Sequence, residues 1–379
     1  MNTNFKKLRA AFIGGGSNSE IGFVHKNALD ISQRYSLESA CFSTNKKINF
    51  TTGNMFGIPK NKIYDNIDQL LINEQSNLDV VIILTPTDRH YENIMKVLEY
   101  NIPVVSEKSL AMNAEEVKKI KQKLLIKKNS LSITYNYTGY PMVRELKKFI
   151  SKKMIGQVNQ FLIEMPQDSL LKVDNKNKKS HVKSWRLKKF NIPMIYFDLG
   201  SHIHSIIAFI LNKKIKKVLC VSNNYGHFRD IDDDVHCLLE LDRNCLGNIW
   251  FSKSALGNNN GLKIRIYGNK GSVEWYQEHP DHFLYSDKFG QKQIINLSSN
   301  LVKVASQKRY NRFKPGHPTG FVEAFANYYE DIARKLQRKN TIKSHIYGYV
   351  LGIDEAENGI KFIESMYLSK KKRKWINVS

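Results

Sequence analysis

At 379 residues, with 41% hydrophobic and 25% charged side chains, the chain is too long for one ordinary core and too apolar for disorder, and it fits two globular domains. Its 59 Lys and Arg against 35 Asp and Glu give a formal net charge of +24, which attracts polyanions whether or not biology uses it. The lysines are dispersed through every segment among abundant Asn and Ile, as in a chain encoded by AT-rich DNA, so the excess reads as composition and no specific nucleic-acid partner is expected.

The opening stretch, "MNTNFKKLRAAFIGGG", runs directly into strand-like sequence, and no apolar run is long enough to span a bilayer. A cytoplasmic location with no membrane partner is the expectation. "LRAAFIGGG", "LESACFS", "LDVVIILTP", "IPVVSEK" and "LSITYNY" are β-forming runs. "EIGFVHKNALDIS", "HYENIMKVLEY" and "AEEVKKIKQKLLIKK" between them carry helical periodicity. Strands alternating with amphipathic helices predict βαβ units, hence a doubly wound parallel sheet over residues 1–137.

Within it, Gly14, Gly16 and Gly22 lie between the first strand and its helix, where a dinucleotide site needs a tight turn and a close backbone approach to pyrophosphate. The third glycine sits six residues beyond Gly16 instead of three, so the loop must be expanded. The second strand ends in Ser43, Thr44 and Asn45, followed by Lys46 and Lys47, where an NAD site usually offers an acid. A 2′-phosphate would be tolerated there, and the cofactor is read as NAD or NADP. Thr85 and Pro86 sit at a strand's carboxyl end, the ligand edge of such a sheet, with His90 close behind; Thr87 or Asp88 could equally cap the next helix. Glu107 and Lys108 end the next strand, and a lysine there can hold a developing alkoxide, although lysine is common throughout this chain.

After residue 137 the rhythm changes. "QVNQFLIEM", "IKKVLCVSNNYG", "DVHCLLELD", "LGNIWFSKSA", "LKIRIYGNKGSVEWY" and "HFLYSD" follow one another through turns, the pattern of antiparallel hairpins. Helices are predicted at 140–154, 196–210, 320–336 and 348–368. Residues 138–379 therefore read as an α+β domain with one large sheet, helices on one face and a twin subunit on the other. The lysine-rich runs at 176–183 and 369–375 read as a solvated loop and a tail. Cys41, Cys220, Cys237 and Cys245 show no CxxC spacing, so they are expected to be reduced and structural, with no metal site.

"YFDLGSHIHSIIAFI" brings Asp198 and His202 four apart at the mouth of an apolar helix, which puts both on one face, about 5–6 Å between Cβ atoms. Histidine titrates near working pH and suits a general base. The same residues could be a helix cap and a satisfied core histidine. His204, roughly 200° around the helix from His202, reads as structural.

Together "GGGSNSEIG", "TPTDRH", the Glu107–Lys108 pair and "DLGSH" resemble the Gfo/Idh/MocA oxidoreductases, the glucose-fructose oxidoreductase and inositol dehydrogenase family. "YNYTGYPMVRELKKFI", "SWRLKK" and "HPTGFVEAFANYYEDI" resemble the branch containing levoglucosan dehydrogenase. The resemblance implies a Rossmann domain, an open-faced second sheet, a homodimer or homotetramer formed through that sheet, and nicotinamide-dependent redox chemistry at a hydroxyl-bearing carbon of a sugar or cyclitol. It implies Lys108, Asp198 and His202 as the catalytic set, and Asn136, Tyr137, Trp185, Arg186 and His317 beside the sugar. Two departures stand out: Ser109 where the family's motif continues with proline, and Ser205 where relatives commonly carry an acid. A nucleotide-sugar enzyme of surface polysaccharide assembly and a catalytically inactive cofactor-binding regulator remain alternatives.

Overall fold

The computed structural model describes residues 6–180, 182–242, 244–337 and 348–378. The chain divides into two compact units, Met1–Gly139 with Gly320–Glu357, and Tyr140–Thr319 with Asn358–Ser379. The first unit also takes in Gly320–Glu357, which the sequence reading placed with residues 138–379.

In the first unit, β1 (Leu8–Gly14), β2 (Tyr35–Cys41), β3 (Val80–Leu84), β4 (Val104–Ser106) and β5 (Leu131–Ile133) form a parallel sheet in the order β2-β1-β3-β4-β5. All five β3 residues are buried, as befits a central parallel strand, and burying each Val, Ile or Leu contributes about 1.5–3 kcal/mol. The crossovers are α1 (Glu20–Ser32), α2 (Lys46–Met55), α3 (Ile67–Glu74), α4 (His90–Glu99) and α5 (Ala114–Lys127). Asn45, Asn66 and Asn113 start α2, α3 and α5 by accepting the backbone N–H three residues on, which satisfies a donor that the helix itself cannot. A further helix of this unit, Phe321–Gln337, packs on α1 through Phe325 and Tyr329 around His25. The strand order reverses between β1 and β3, and open α/β sheets bind ligands at such a point.

In the second unit, α6 (Pro141–Ser151), β6 (Val158–Pro166) and α7 (Ser201–Leu211) precede β7 (Ile215–Asn223), β8 (Asp234–Leu241), β9 (Cys245–Ser252), β10 (Lys263–Gly268), β11 (Gly271–Tyr276), β12 (His282–Asp287) and β13 (Lys292–Asn296). The Phe321–Gln337 helix is α8 in chain order; α9 (Ile353–Lys372) and β14 (Ile376–Asn377) close the chain. The nine strands run β13-β12-β11-β10-β6-β9-β8-β7-β14, antiparallel except for the β6–β9 pair. Val235, Cys237 and Leu239 of β8 and Ile249 and Phe251 of β9 alternate inward, where Phe149 of α6 meets Phe283 and Tyr196 meets Phe251. On the other face Val221, Leu238 and Leu246 stand exposed.

Two expectations change. The 369–375 run is the last turn of α9 and the approach to β14, which pairs with β7, rather than a loose tail. The final helix begins at Ile353, not near residue 348, with Glu355 accepting from the Gly352 N–H. Of the segments read from sequence, residues 1–5 of the opening stretch and His181 of the 176–183 run lie outside the described residues.

Candidate functional site

The first unit presents the glycine loop. Gly14 and Gly15 hold φ of +85° and +76°, which side chains of L residues resist. A Cβ on Gly14 would lie 2.7 Å from the Leu84 carbonyl carbon and the Thr85 nitrogen, and one on Gly22 would lie 2.0 Å from the Gly15 oxygen. Glycine at 22 therefore lets α1 close against the loop. Gly16 accepts from the Ser19 N–H at 2.7 Å, so the extra residues form a turn of their own, and Ser17 donates its N–H to Thr52 Oγ1 at 2.7 Å. Ser19, the N-cap of α1, makes no side-chain cap bond to the first N–H groups of the helix. Backbone donors at a helix start beside close-packed glycines fit a dinucleotide pyrophosphate. Gly15 was not singled out from sequence, although three consecutive glycines contained it.

Beyond β2, Ser43 Oγ accepts from the Asn45 N–H, and Asn45 caps α2, so the tip has been given to starting a helix. Lys46 pairs with Asp65 at 2.9 Å and both are well exposed. At the end of β3, the Thr85 carbonyl lies 2.7 Å from His90 Nε2, while His90 Nδ1 lies 2.7 Å from the Ser109 carbonyl. His90 is buried, which lowers its pKa, and the two carbonyls act against that shift. Its ring ties the end of β3 to the residue after Lys108. Pro86 precedes a 3₁₀ turn at Thr87–Arg89, and neither Pro86 nor Arg89, the N-caps of this turn and of α4, makes a side-chain cap bond.

Glu107 is buried. His25 Nε2 lies 3.0 Å from its Oε1, and Thr134 Oγ1 donates to the same oxygen. Burial works against the charge, but the hydrogen bond and charge of His25, the charge of Lys108 and the Thr134 bond together hold the carboxyl below its ordinary range. His25 in turn meets the Tyr329 hydroxyl. His25 was not identified from sequence, where it looked like any lone histidine on an apolar helix face. Lys108 is half-buried, and the Lys108–Ser109 peptide is cis although residue 109 is serine. Asn136 and Tyr137 share the 3₁₀ turn after β5, both buried; Tyr137 packs edge-on to Phe321, and the Asn136 amide nitrogen has no hydrogen-bond partner among the described residues. An unpaired buried donor costs about 1–3 kcal/mol, which a ligand oxygen would offset.

In the second unit Asp198 lies in a π-helical turn, Tyr196–Gly200, that leads into α7 and His202. The turn is wider than the α-helix implied by the four-residue spacing, and such turns recur at functional sites. Asp198 Oδ2 is 2.7 Å from Lys253 Nζ and 3.4 Å from Arg186 Nε. The Arg186 guanidinium also lies 4.5 Å over the Trp185 ring, so one predicted sugar-side residue reaches the predicted acid and stacks on a second. Ser205 Oγ donates to the His202 carbonyl at 2.7 Å, a local helix bond in place of the expected acid. His202 and His204 are buried; burial pushes His204 down to about 4, and its ring stacks at a tilt on Phe362. His317 is exposed on a loop, its ring edge-on to Phe313. Lys253 was missed, because nothing in the sequence separates it from the other lysines.

Among the described residues, no group of His, Cys, Asp and Glu is placed to hold a metal ion, all four cysteines are free, and no helix is long and apolar enough to cross a membrane. Residues 8–136 match the model of an oxidoreductase family with an NAD-binding Rossmann fold, and residues 143–274 match that of the GFO/IDH/MocA C-terminal domain. The uncharacterized oxidoreductase YfiI of Bacillus subtilis is 27% identical, covering 95% of this chain and 94% of its own. Levoglucosan dehydrogenase of Pseudarthrobacter phenanthrenivorans is 23% identical over 55% of this chain and 58% of its own. The inositol dehydrogenase homolog of Azotobacter vinelandii, solved with NADH and myo-inositol, superposes with a TM-score of 0.88 at 21% identity, covering 98% of both chains. The chain belongs to the Gfo/Idh/MocA oxidoreductases, an NAD-binding Rossmann domain followed by that family's C-terminal domain.

Proposed function

We propose that the chain is a dehydrogenase that moves a hydride between NAD or NADP and a hydroxyl-bearing carbon of a sugar, sugar derivative or cyclitol. The observation that carries this reading is Asp198, largely shielded from water and ion-paired four residues before His202, in a chain whose other unit carries the glycine loop. The nicotinamide, when bound, takes or gives the hydride. Gly14, Gly16 and Gly22 would receive its pyrophosphate, with Ser43, Thr85, Pro86 and the Glu107–Lys108 backbone along the rest of the nucleotide. Lys46 and Lys47 past β2 suit a 2′-phosphate.

In oxidation His202 removes the hydroxyl proton, and in reduction it returns one; a placed general base typically contributes on the order of 10²–10⁴-fold. Asp198 accepts a hydrogen bond from the polyol, and Lys108 steadies negative charge on the reacting oxygen. Asn136, Tyr137, Trp185, Arg186 and His317 offer the planar donors and aromatic faces that hydroxyls and C–H patches need. The exposed Val221, Leu238 and Leu246 support a homo-oligomer formed through the second sheet.

A panel of sugars and cyclitols, myo-inositol and levoglucosan among them, should be screened with NAD and NADP by following nicotinamide absorbance, with nucleotide-linked sugars in the same panel. Turnover of one class, abolished by Lys108→Ala, supports the reading. Turnover that survives that substitution removes Lys108 from the mechanism, and cofactor binding with no turnover of any substrate points to a regulator.

A further inference from the structure

We infer that Lys253 is a positioning residue of this site: it locks Asp198 as a carboxylate that can only accept hydrogen bonds. The inference rests on the dehydrogenase reading above. Lys253 directly follows β9, an interior strand of the nine-stranded sheet. Its backbone is held on both sides, the N–H donating to the Asp233 carbonyl at 2.7 Å and the carbonyl accepting from the Leu170 N–H at 2.8 Å. Its neighbours are fixed too: Ser252 Oγ donates to the Asp233 carbonyl at 3.3 Å, and Ser254 Oγ to Asp233 Oδ1 at 2.9 Å. The lysine stem therefore leaves a rigid base, and its ammonium ends 2.7 Å from Asp198 Oδ2.

Both side chains of this pair are about nine-tenths buried, at 10% and 11% exposure. Taking an ammonium and a carboxylate out of water costs several kcal/mol per ion, and well-packed apolar residues often serve stability as well or better. A buried pair is thus a weak device for holding a fold but a strong one for holding a charge state. With Lys253 and Arg186 both at its Oδ2, Asp198 stays ionised. An ionised carboxylate has no proton to donate, so it selects substrate hydroxyls over carbonyl oxygens and leaves proton transfer to His202.

Two measurements test this. In protein labelled with ¹³C at the aspartate carboxyl, the Asp198 resonance is identified by its loss in Asp198→Asn, and titration needs no substrate. Among the described residues, Lys253 from the end of β9 and Arg186 from the Ser184–Leu187 turn face it, and His202 follows four residues on in α7. The resonance should keep its carboxylate position through the ordinary aspartate range near pH ~3.9, and should titrate at higher pH in Lys253→Met. Unchanged titration in Lys253→Met overturns the inference, whatever the enzyme acts on.

In kinetics with the substrate found above, Lys253→Met should lower kcat/KM about 10- to 100-fold, the loss of a charge-assisted hydrogen bond. NADH affinity by fluorescence titration should stay unchanged, and Lys253→Arg should recover most of the loss. In an Asp198→Asn background the same substitution should cost less than about threefold, since its target is gone. Wild-type kinetics in Lys253→Met with a strong loss in Asp198→Asn overturns the inference and leaves the dehydrogenase reading standing. Wild-type turnover in Asp198→Asn sinks that reading itself. A loss in Lys253→Met matched by equal losses of NADH affinity and thermal stability reduces Lys253 to a structural part.

Discussion

Glu107 in the first unit is buried and Asp198 in the second is largely shielded, yet the two acids are held in different ways. Glu107 takes its partners from distant elements: His25 of α1, Thr134 just past β5 and, through His25, Tyr329 of α8. Its carboxylate works as a knot that ties three parts of one unit together. Asp198 faces two permanent cations, Lys253 and Arg186, and sits in a π-helical turn rather than inside a regular element. A carboxylate satisfied by hydrogen-bond donors from packed elements belongs to the fold, whereas one balanced by cations beside a predicted base is the one proposed to meet a ligand.

The contrast breaks most clearly through paired substitutions. Asp198→Asn should lower kcat/KM by about 10²–10⁴-fold, measured by nicotinamide absorbance with the best substrate of the screen, because on the proposed reading it removes an interaction with the reacting molecule. Glu107→Gln should instead lower stability by about 3 kcal/mol in denaturant unfolding, with a smaller effect on turnover per folded molecule. The sign with pH follows from the depressed Glu107 pKa. Its stabilisation is complete above the unfolded carboxyl value of about 4.3 and is lost as pH falls through the lower folded value, so the gap between wild type and variant should shrink as pH falls below about 4.3. If Glu107→Gln proved dead but stable, the two acids would exchange places in the comparison.

His204 sharpens the second unit's side. Burial takes it from 6.5 to about 4, so it is neutral in the fold and protonates more readily when unfolded. Its stabilisation is complete above pH ~6.5 and falls toward pH ~4, by up to about 3 kcal/mol. His204→Phe should flatten that slope in unfolding curves measured across the interval. The smallest effect concerns the loop: Gly22→Ala brings a Cβ to 2.0 Å from the Gly15 oxygen, and should weaken NADH binding about tenfold in a fluorescence titration.

Much of this was legible in the residues themselves. Apolar runs such as Val80–Leu84 announce central parallel strands, and the three-glycine loop announces its ligand edge. The helices α2 and α3 were not read, because they are ten and eight residues long and begin at Asn45 and Asn66 caps rather than through strong periodicity. Asp198 and His202 were visible as a spacing, although the π-helical turn beneath the first was not. His25 and Lys253 were hidden, since a lone histidine or one more lysine means nothing until burial selects it.

The alternation of the main strands with α1, α4 and α5, the glycine turn and the inward faces of the strands follow from the sequence alone, because they depend on neighbours within a few residues. Tertiary structure decided that 320–357 joins the first unit, that Glu107 meets His25, 82 positions away, and that Lys253 rather than another lysine is buried against Asp198. Those choices rest on desolvation and ion pairing between distant segments, whose energies exist only once the chain has brought them together.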